Sequence, residues 1–102
     1  MRRFHLSPLA ESDLTEIWRY SAETWGEAQA DRYVSDLFDR FAWVADHPEM
    51  GRKRPEILPG ASSMQVGRHV IFYETVAGRV VILRIVHERR NMAALRFVGE
   101  GE

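Results

Sequence analysis

Gly67-Arg68-His69-Val70-Ile71-Phe72-Tyr73, then Ala77-Gly78, then Val80-Val81-Ile82-Leu83-Arg84-Ile85-Val86-His87-Glu88-Arg89-Arg90 is the stretch that decides the fold. β-Branched and aromatic residues dominate both runs, and a glycine-containing dipeptide separates them, which is the pattern of a hairpin. With the run before Gly67-Arg68, the spacing predicts an antiparallel meander of three strands over Ser62–Val66, His69–Val76 and Arg79–His87. On the last strand Val81, Leu83, Ile85 and His87 alternate with Val80, Ile82, Arg84 and Val86. One set has to pack on helices. The other is too apolar for water and carries a charge at its middle, and two readings of it stay open. Either the terminal segment folds back over it while Arg84 snorkels to the edge, or a partner covers it and supplies a carboxylate for Arg84.

Upstream of the meander the period changes from two to 3.6. A short strand is predicted over residues 3–7, and Ser7-Pro8 then reads as an N-cap followed by proline in the first helical turn. Leu14, Ile17, Trp18, Ser21 and Trp25 share one helical face, Glu11 and Asp13 complement the dipole, and Gly26 ends the helix. A second helix over Glu27–Asp46 carries Ala30, Tyr33, Val34, Leu37, Phe38, Phe41, Val44 and Ala45 as a broad apolar stripe and stops at Pro48. The two form an αα-hairpin. Residues 48–60, with three of the four prolines and the run Arg52-Lys53-Arg54, read as an ordered loop. A short terminal helix is predicted over residues 92–97. The order β-α-α-β-β-β implies an α+β fold with the helical hairpin on one face of a small antiparallel sheet. One domain is expected over residues 1–98, with a flexible tail at 99–102.

Composition narrows the class. A chain of 102 residues makes one domain that buries roughly 65% of its unfolded surface. There is no cysteine, hence no disulfide, thiolate metal site or cysteine nucleophile, which fits a reducing cytoplasm. Arg2 and Arg3 are not followed by an apolar stretch, so no signal peptide is read, and the apolar run at Val80 to Leu83 is far too short to span a membrane. The net charge of −1 conceals an asymmetry: residues 9–49 hold ten acids against three arginines, residues 50–98 nine bases against three acids. Thirteen of the fourteen basic residues are arginine, a bias that a GC-rich genome explains first, although the side chain also suits bidentate contacts with carboxylate or phosphate.

Most chemistries drop out. His5, His47, His69 and His87 show no metal-ligand spacing, and there is neither a glycine-rich phosphate loop nor a nucleophile elbow. No cofactor is expected. His69 reads as a brace for the turn beside Gly67, and Trp18, Trp25 and Trp43 read as core or helix-seam residues. Trp18 and Trp25, one helix face apart, have a second reading as anchors for a partner.

Taken together, these pieces resemble ParE toxins of the RelE/ParE superfamily, from bacterial type II toxin-antitoxin pairs. The resemblance rests on Leu6-Ser7-Pro8, Ala10 with Asp13-Leu14, Ile17-Trp18-Arg19-Tyr20, Trp25-Gly26 with Gln29-Ala30, Tyr33 and Leu37. It continues through Pro48, Gly51-Arg52, the Gly67 to Tyr73 run, and Ile82 to His87 followed by Arg89. It covers residues 4–95. Two departures, Arg90-Asn91 where Met-Asp is common and Ala61-Ser62 where an arginine is usual, concern surface contacts.

The resemblance implies the RelE/ParE-like fold and neutralisation by an acidic ParD-like antitoxin in a hetero-oligomer. ParE relatives poison DNA gyrase by binding it, without catalysis, whereas RelE relatives cut messenger RNA on the ribosome. RNA cleavage needs a base and clustered cations. Residues 91–97 contain no tyrosine or histidine, which favours gyrase over the ribonuclease alternative. In that alternative Arg84, Arg89 and His87 would be catalytic; a degenerate antitoxin-binding module is a third reading. The residues expected at the antitoxin are Trp18, Trp25, Arg52, Arg54 and Arg84. Those expected at the target are Arg68, Arg89 and Arg90. No membrane association and no sequence-specific nucleic acid binding is expected.

Overall fold

The alternation of short apolar strands with a long amphipathic hairpin produces two layers. The structure, a computed structural model, describes residues 4–97; the expected tail at 99–102 lies outside the described residues. The elements are β1 (Phe4–Leu6), α1 (Pro8–Trp25), α2 (Glu27–Asp46), a 3₁₀ turn (Pro48–Met50), β2 (Arg52–Lys53), β3 (Ser62–Val66), β4 (His69–Val76), β5 (Arg79–His87) and a second 3₁₀ turn (Met92–Ala94). The sheet order is β1-β5-β4-β3-β2, with β1 parallel to β5 and the other neighbours antiparallel. Two expectations change. Arg52 and Lys53 leave the loop and pair with Ser63 and Ser62 as an edge strand. The terminal helix shrinks to one 3₁₀ turn, after which the chain runs extended at Leu95.

Local chemistry sets the boundaries. The Ser7 hydroxyl accepts the Ala10 N–H at 3.0 Å and donates to the Leu83 carbonyl at 2.8 Å, so one side chain caps α1 and ties it to β5. Gly26 joins the helices: its N–H donates to Ala22 and its carbonyl accepts from Ala30. The Gly67-Arg68 turn has positive φ only at Gly67, as a II′ turn asks, whereas Ala77 and Gly78 both take positive φ, as I′ asks.

The hairpin covers one sheet face, burying Leu14, Ile17, Leu37, Phe41 and Val44 against Ile71, Tyr73, Val80, Ile82 and Ile85. On the opposite face Phe72, Leu83 and Val86 lie beneath Ile57, Leu58, Met92, Leu95 and Phe97. The chain's own terminal segment, with Ile57 and Leu58, is therefore the cover, as the first of the two readings had it, but Arg84 does not snorkel to the edge as that reading expected: it is buried.

Strict alternation along β5 fails at one point. Tyr73 pairs with Ile82 but Phe72 pairs with Arg84, so Leu83 is an extra residue in a β-bulge. Val80 and Ile82 face the helices, Leu83 faces away, and Ile85 faces the helices again. The simple parity assigned Ile85, Val86 and His87 to the wrong sets because a bulge advances the pleat by one residue.

At the bulge Arg84 is 7% exposed and pairs with the chain's own Asp13. Asp13 Oδ2 accepts from Arg84 Nε at 2.8 Å and from the Ile85 N–H at 2.9 Å, while Oδ1 accepts from Arg84 Nη2 at 3.0 Å. Arg84 Nη1 donates to the Arg96 carbonyl at 2.7 Å, fastening the terminal segment. On the far side Tyr73 donates to the Pro48 carbonyl at 2.7 Å, and a Cβ at Gly51 would run into the Tyr73 ring. That close approach sets the path from α2 into β2.

Removing one partner of a buried pair strands the other charge, at a cost of about 3–5 kcal/mol. Asp13→Ala should therefore lower the urea-measured unfolding free energy by about that amount. The double variant Asp13→Leu/Arg84→Met should recover most of the loss, because an apolar replacement leaves no orphan charge.

Candidate functional site

Between the closed end of the helical hairpin and the Gly67 end of the sheet lies an open groove of about 790 Å³. Helix α1 lines it with Ile17, Tyr20, Ser21 and Trp25, α2 with Gln29 and Tyr33, and the sheet with Gly67, Arg68, His69 and His87. No carboxylate lines it. At its rim Tyr20 and Trp25 are 63% and 58% exposed, with their rings edge to face at 5.9 Å. Two large aromatics in water at one spot are the strongest mark of an interaction surface on this chain.

The floor is a hydrogen-bonded hub. The Tyr33 hydroxyl lies 2.6 Å from His69 Nδ1, accepts the Arg68 N–H at 3.3 Å and lies 3.4 Å from the Val66 carbonyl. A hydroxyl has one proton to give. The contact to the His69 ring is the shortest of the three, and the imidazole tautomer sets which of the two groups donates in it. A Cβ at Gly67 would sit 2.9 Å from the Tyr33 hydroxyl, at a φ of +57°, so only glycine lets this turn close on the helix. Burial, and then the neighbouring His87, hold the His69 pKa below its ordinary 6.5. His87 meets His69 edge to face at 5.5 Å, and its Nδ1 accepts the Arg89 N–H at 3.1 Å.

The expected site residues separate into groups. Trp25 stands at the groove rim. Trp18 is a seam residue whose indole N–H donates to Asp31 of α2 at 2.8 Å. Trp43 stacks on His47 at 4.5 Å beneath Arg40, away from the groove lining. Arg52 is exposed on the sheet edge, whereas Arg54 is held by Glu56 at 2.7 Å and Ser63 at 3.1 Å. Arg84 is inside the protein, and the carboxylate expected from a partner comes from Asp13. Arg68, Arg89 and Arg90 gather at one end, where the Glu88 N–H donates to the Arg68 carbonyl at 2.8 Å and the Arg90 N–H to the His87 carbonyl at 2.9 Å. Arg84, Arg89 and His87 do not converge on one reaction centre: the Arg84 guanidinium is taken by Asp13 and Arg96, and only His87 lines the groove. Tyr20, Tyr33 and His69 went unassigned as site residues in the sequence, although Tyr20 lies off the buried stripe of α1 and was a detectable signal. Among the described residues no cluster of three or more His, Cys, Asp or Glu side chains could hold a metal ion, and no helix is long and apolar enough to cross a membrane.

A histidine whose pKa is lowered by folding resists a proton that the unfolded chain accepts. Its contribution to stability is complete above pH 6.5 and is lost as the pH falls through the lowered folded value. Urea titrations at about pH 7.5 and about pH 5.5 should show a smaller acid loss in His69→Gln than in the parent chain.

Residues 4–92 match the family described as "ParE toxin of type II toxin-antitoxin system, parDE". Toxin ParE1 of Caulobacter vibrioides is 37% identical over 94 residues, covering 92% of this chain and 97% of that protein. Toxin ParE1 of Mycobacterium tuberculosis is 35% identical over 91 residues, covering 88% and 93%. A solved structure titled "Chromosomal ParDE TA system from P. aeruginosa" superposes with a TM-score of 0.73 at 20% identity, covering 85% of this chain and 96% of that one, a likeness of fold. With the family model spanning the hairpin and the sheet, the chain belongs to the ParE toxins of type II toxin-antitoxin systems.

Proposed function

We propose that this chain acts by binding DNA gyrase and stalling its cleaved-DNA state, and that an acidic ParD-like antitoxin neutralises it in the cytoplasm as a hetero-oligomer. One observation carries the choice of binding over catalysis. The residues a ribonuclease would need are dispersed, with Arg84 consumed by Asp13 and the imidazole of His87 occupied at Nδ1 by the Arg89 amide. With Arg84 held inside the protein, the three residues assigned to that chemistry cannot act together on one scissile phosphate.

The antitoxin reading draws on the surface. Tyr20 and Trp25 offer ring area to an apolar side chain. Arg52 supplies a cation to an acidic segment at the β2 edge of the sheet. Trp18 and Arg54 serve from beneath, one fixing the helix seam and the other the loop before β3. The relatives named ParE1 and the ParDE title of the structural neighbour support the pairing with an antitoxin. Arg68, Arg89 and Arg90 form the end turned toward the target.

Induced alone in a bacterial host, the chain should cause filamentation and a DNA-damage response while translation continues, and purified gyrase should lose supercoiling activity or accumulate cleaved DNA. Messenger RNA cut on ribosomes with gyrase untouched would refute the assignment. Plating survival at matched expression gives an independent check. His87→Gln should keep most of the toxicity, since an amide preserves a neutral hydrogen bond, whereas deletion from residue 92 onward should lose more by uncovering Phe72, Leu83 and Val86.

A further inference from the structure

The mouth of the groove has a chemistry that the antitoxin reading leaves unused. Arg68 stands in the β3–β4 turn and Arg89 and Arg90 in the turn after β5, with the two turns joined by the Glu88 to Arg68 backbone bond. All three arginines are exposed, and none pairs with a carboxylate among the described residues. The carboxylate that the same turn carries, Glu88, accepts from Gln65 Nε2 at 2.6 Å. Immediately behind the cations the walls present the rings of Tyr20, Trp25, Tyr33, His69 and His87, with no carboxylate in the lining. His69, kept neutral by burial, adds a ring face without adding charge.

Cations that track a phosphodiester beside flat rings that accept unstacked bases are the two parts of a single-strand nucleic acid site. A duplex keeps its base faces stacked inside and would use the arginines but not the groove. The groove's volume, 790 Å³, is within the range of pockets that bury drug-sized ligands.

We propose that this end of the molecule binds a single strand of DNA, with phosphates on Arg68, Arg89 and Arg90 and bases stacked in the groove against Trp25 and Tyr20. Its setting, though not its chemistry, rests on the reading above that this end faces a gyrase–DNA complex. The toxin would then hold the cleaved complex partly through its nucleic acid. An antitoxin seated on Tyr20 and Trp25 would displace that strand directly.

The test is fluorescence anisotropy of the purified full chain with a labelled oligothymidylate of about twelve nucleotides. The same titration is run with a duplex, with an RNA strand of matching sequence and with a glutamate-rich peptide. Single-stranded DNA should bind tightest, with a log–log salt slope of about −2 between about 50 and 200 mM salt, as three phosphate contacts require. Trp25→Ala should weaken binding about tenfold with the slope unchanged. Arg89→Ala/Arg90→Ala should reduce the slope to about −0.7. Both changes fall on exposed side chains, and circular dichroism verifies that each variant folds.

The proposal is overturned by no binding at about 50 mM salt, by equal or tighter binding of the duplex, by tighter binding of RNA, by binding of the peptide alone, or by an unaltered affinity in Trp25→Ala. Gyrase inhibition measured on the same samples separates the two readings. Inhibition without DNA binding refutes this proposal alone, and DNA binding without inhibition refutes the gyrase assignment alone.

Discussion

Asp13 accepts three hydrogen bonds from β5, two from the Arg84 guanidinium and one from the Ile85 N–H. Through them one carboxylate on the second turn of α1 locks the helix to the bulge, and the bulge to the terminal segment by way of Arg84 and the Arg96 carbonyl. The two layers and the terminal cover meet at this point. A buried pair of this kind adds little net stability over apolar residues of the same volume. What it adds is direction. Arg84 places its donors on Asp13 and on the Arg96 carbonyl in the bulged register, in which Ile85 and His87 return to the helix side.

That return builds the groove. Were alternation unbroken through Leu83, His87 would point to the opposite face and the His69 ring would lose its edge-to-face neighbour. Tyr33 then closes the same end from the helix side, holding the Gly67-Arg68 turn through its hydroxyl. The interaction surface is thus held by rigid elements and by two turns bonded to each other, an arrangement that limits the ordering cost when a partner binds.

The elements themselves were legible in the chain. The 3-4 spacing of Leu14, Ile17 and Ser21, the Ser7-Pro8 start, the Gly26 break and the dipeptides Gly67-Arg68 and Ala77-Gly78 all act locally, and local signals survive in a single sequence. The bulge was not legible, since no glycine marks it and the charge of Arg84 beside Leu83 does not by itself call for an extra residue. Nor was the Asp13–Arg84 pair, whose members stand 71 residues apart. A charge in an apolar strand shows that a counter-charge is needed without showing which chain owns it. Arg52-Lys53 pairs as a strand for the same non-local reason, since two charged residues carry no strand signal and only the neighbouring Ser62 and Ser63 give them a ladder. Of the groove, Trp25 and Arg68 could be singled out by type, while Tyr33 and His69 gain meaning only by meeting across 36 residues.

The edges of the sheet are as telling as its faces. One is formed by β1, three residues long, and where β1 ends the Asp13 carboxylate takes the Ile85 amide that a further strand would have sought. The other is formed by β2, two residues long and made of Arg52 and Lys53. Short, charged or side-chain-capped edges give a neighbouring chain little to zip onto. A protein with two bare aromatics and an open groove therefore carries its stickiness in a defined place, while its backbone resists fibre-like growth. Such a chain can stand alone between partners without templating its own aggregation.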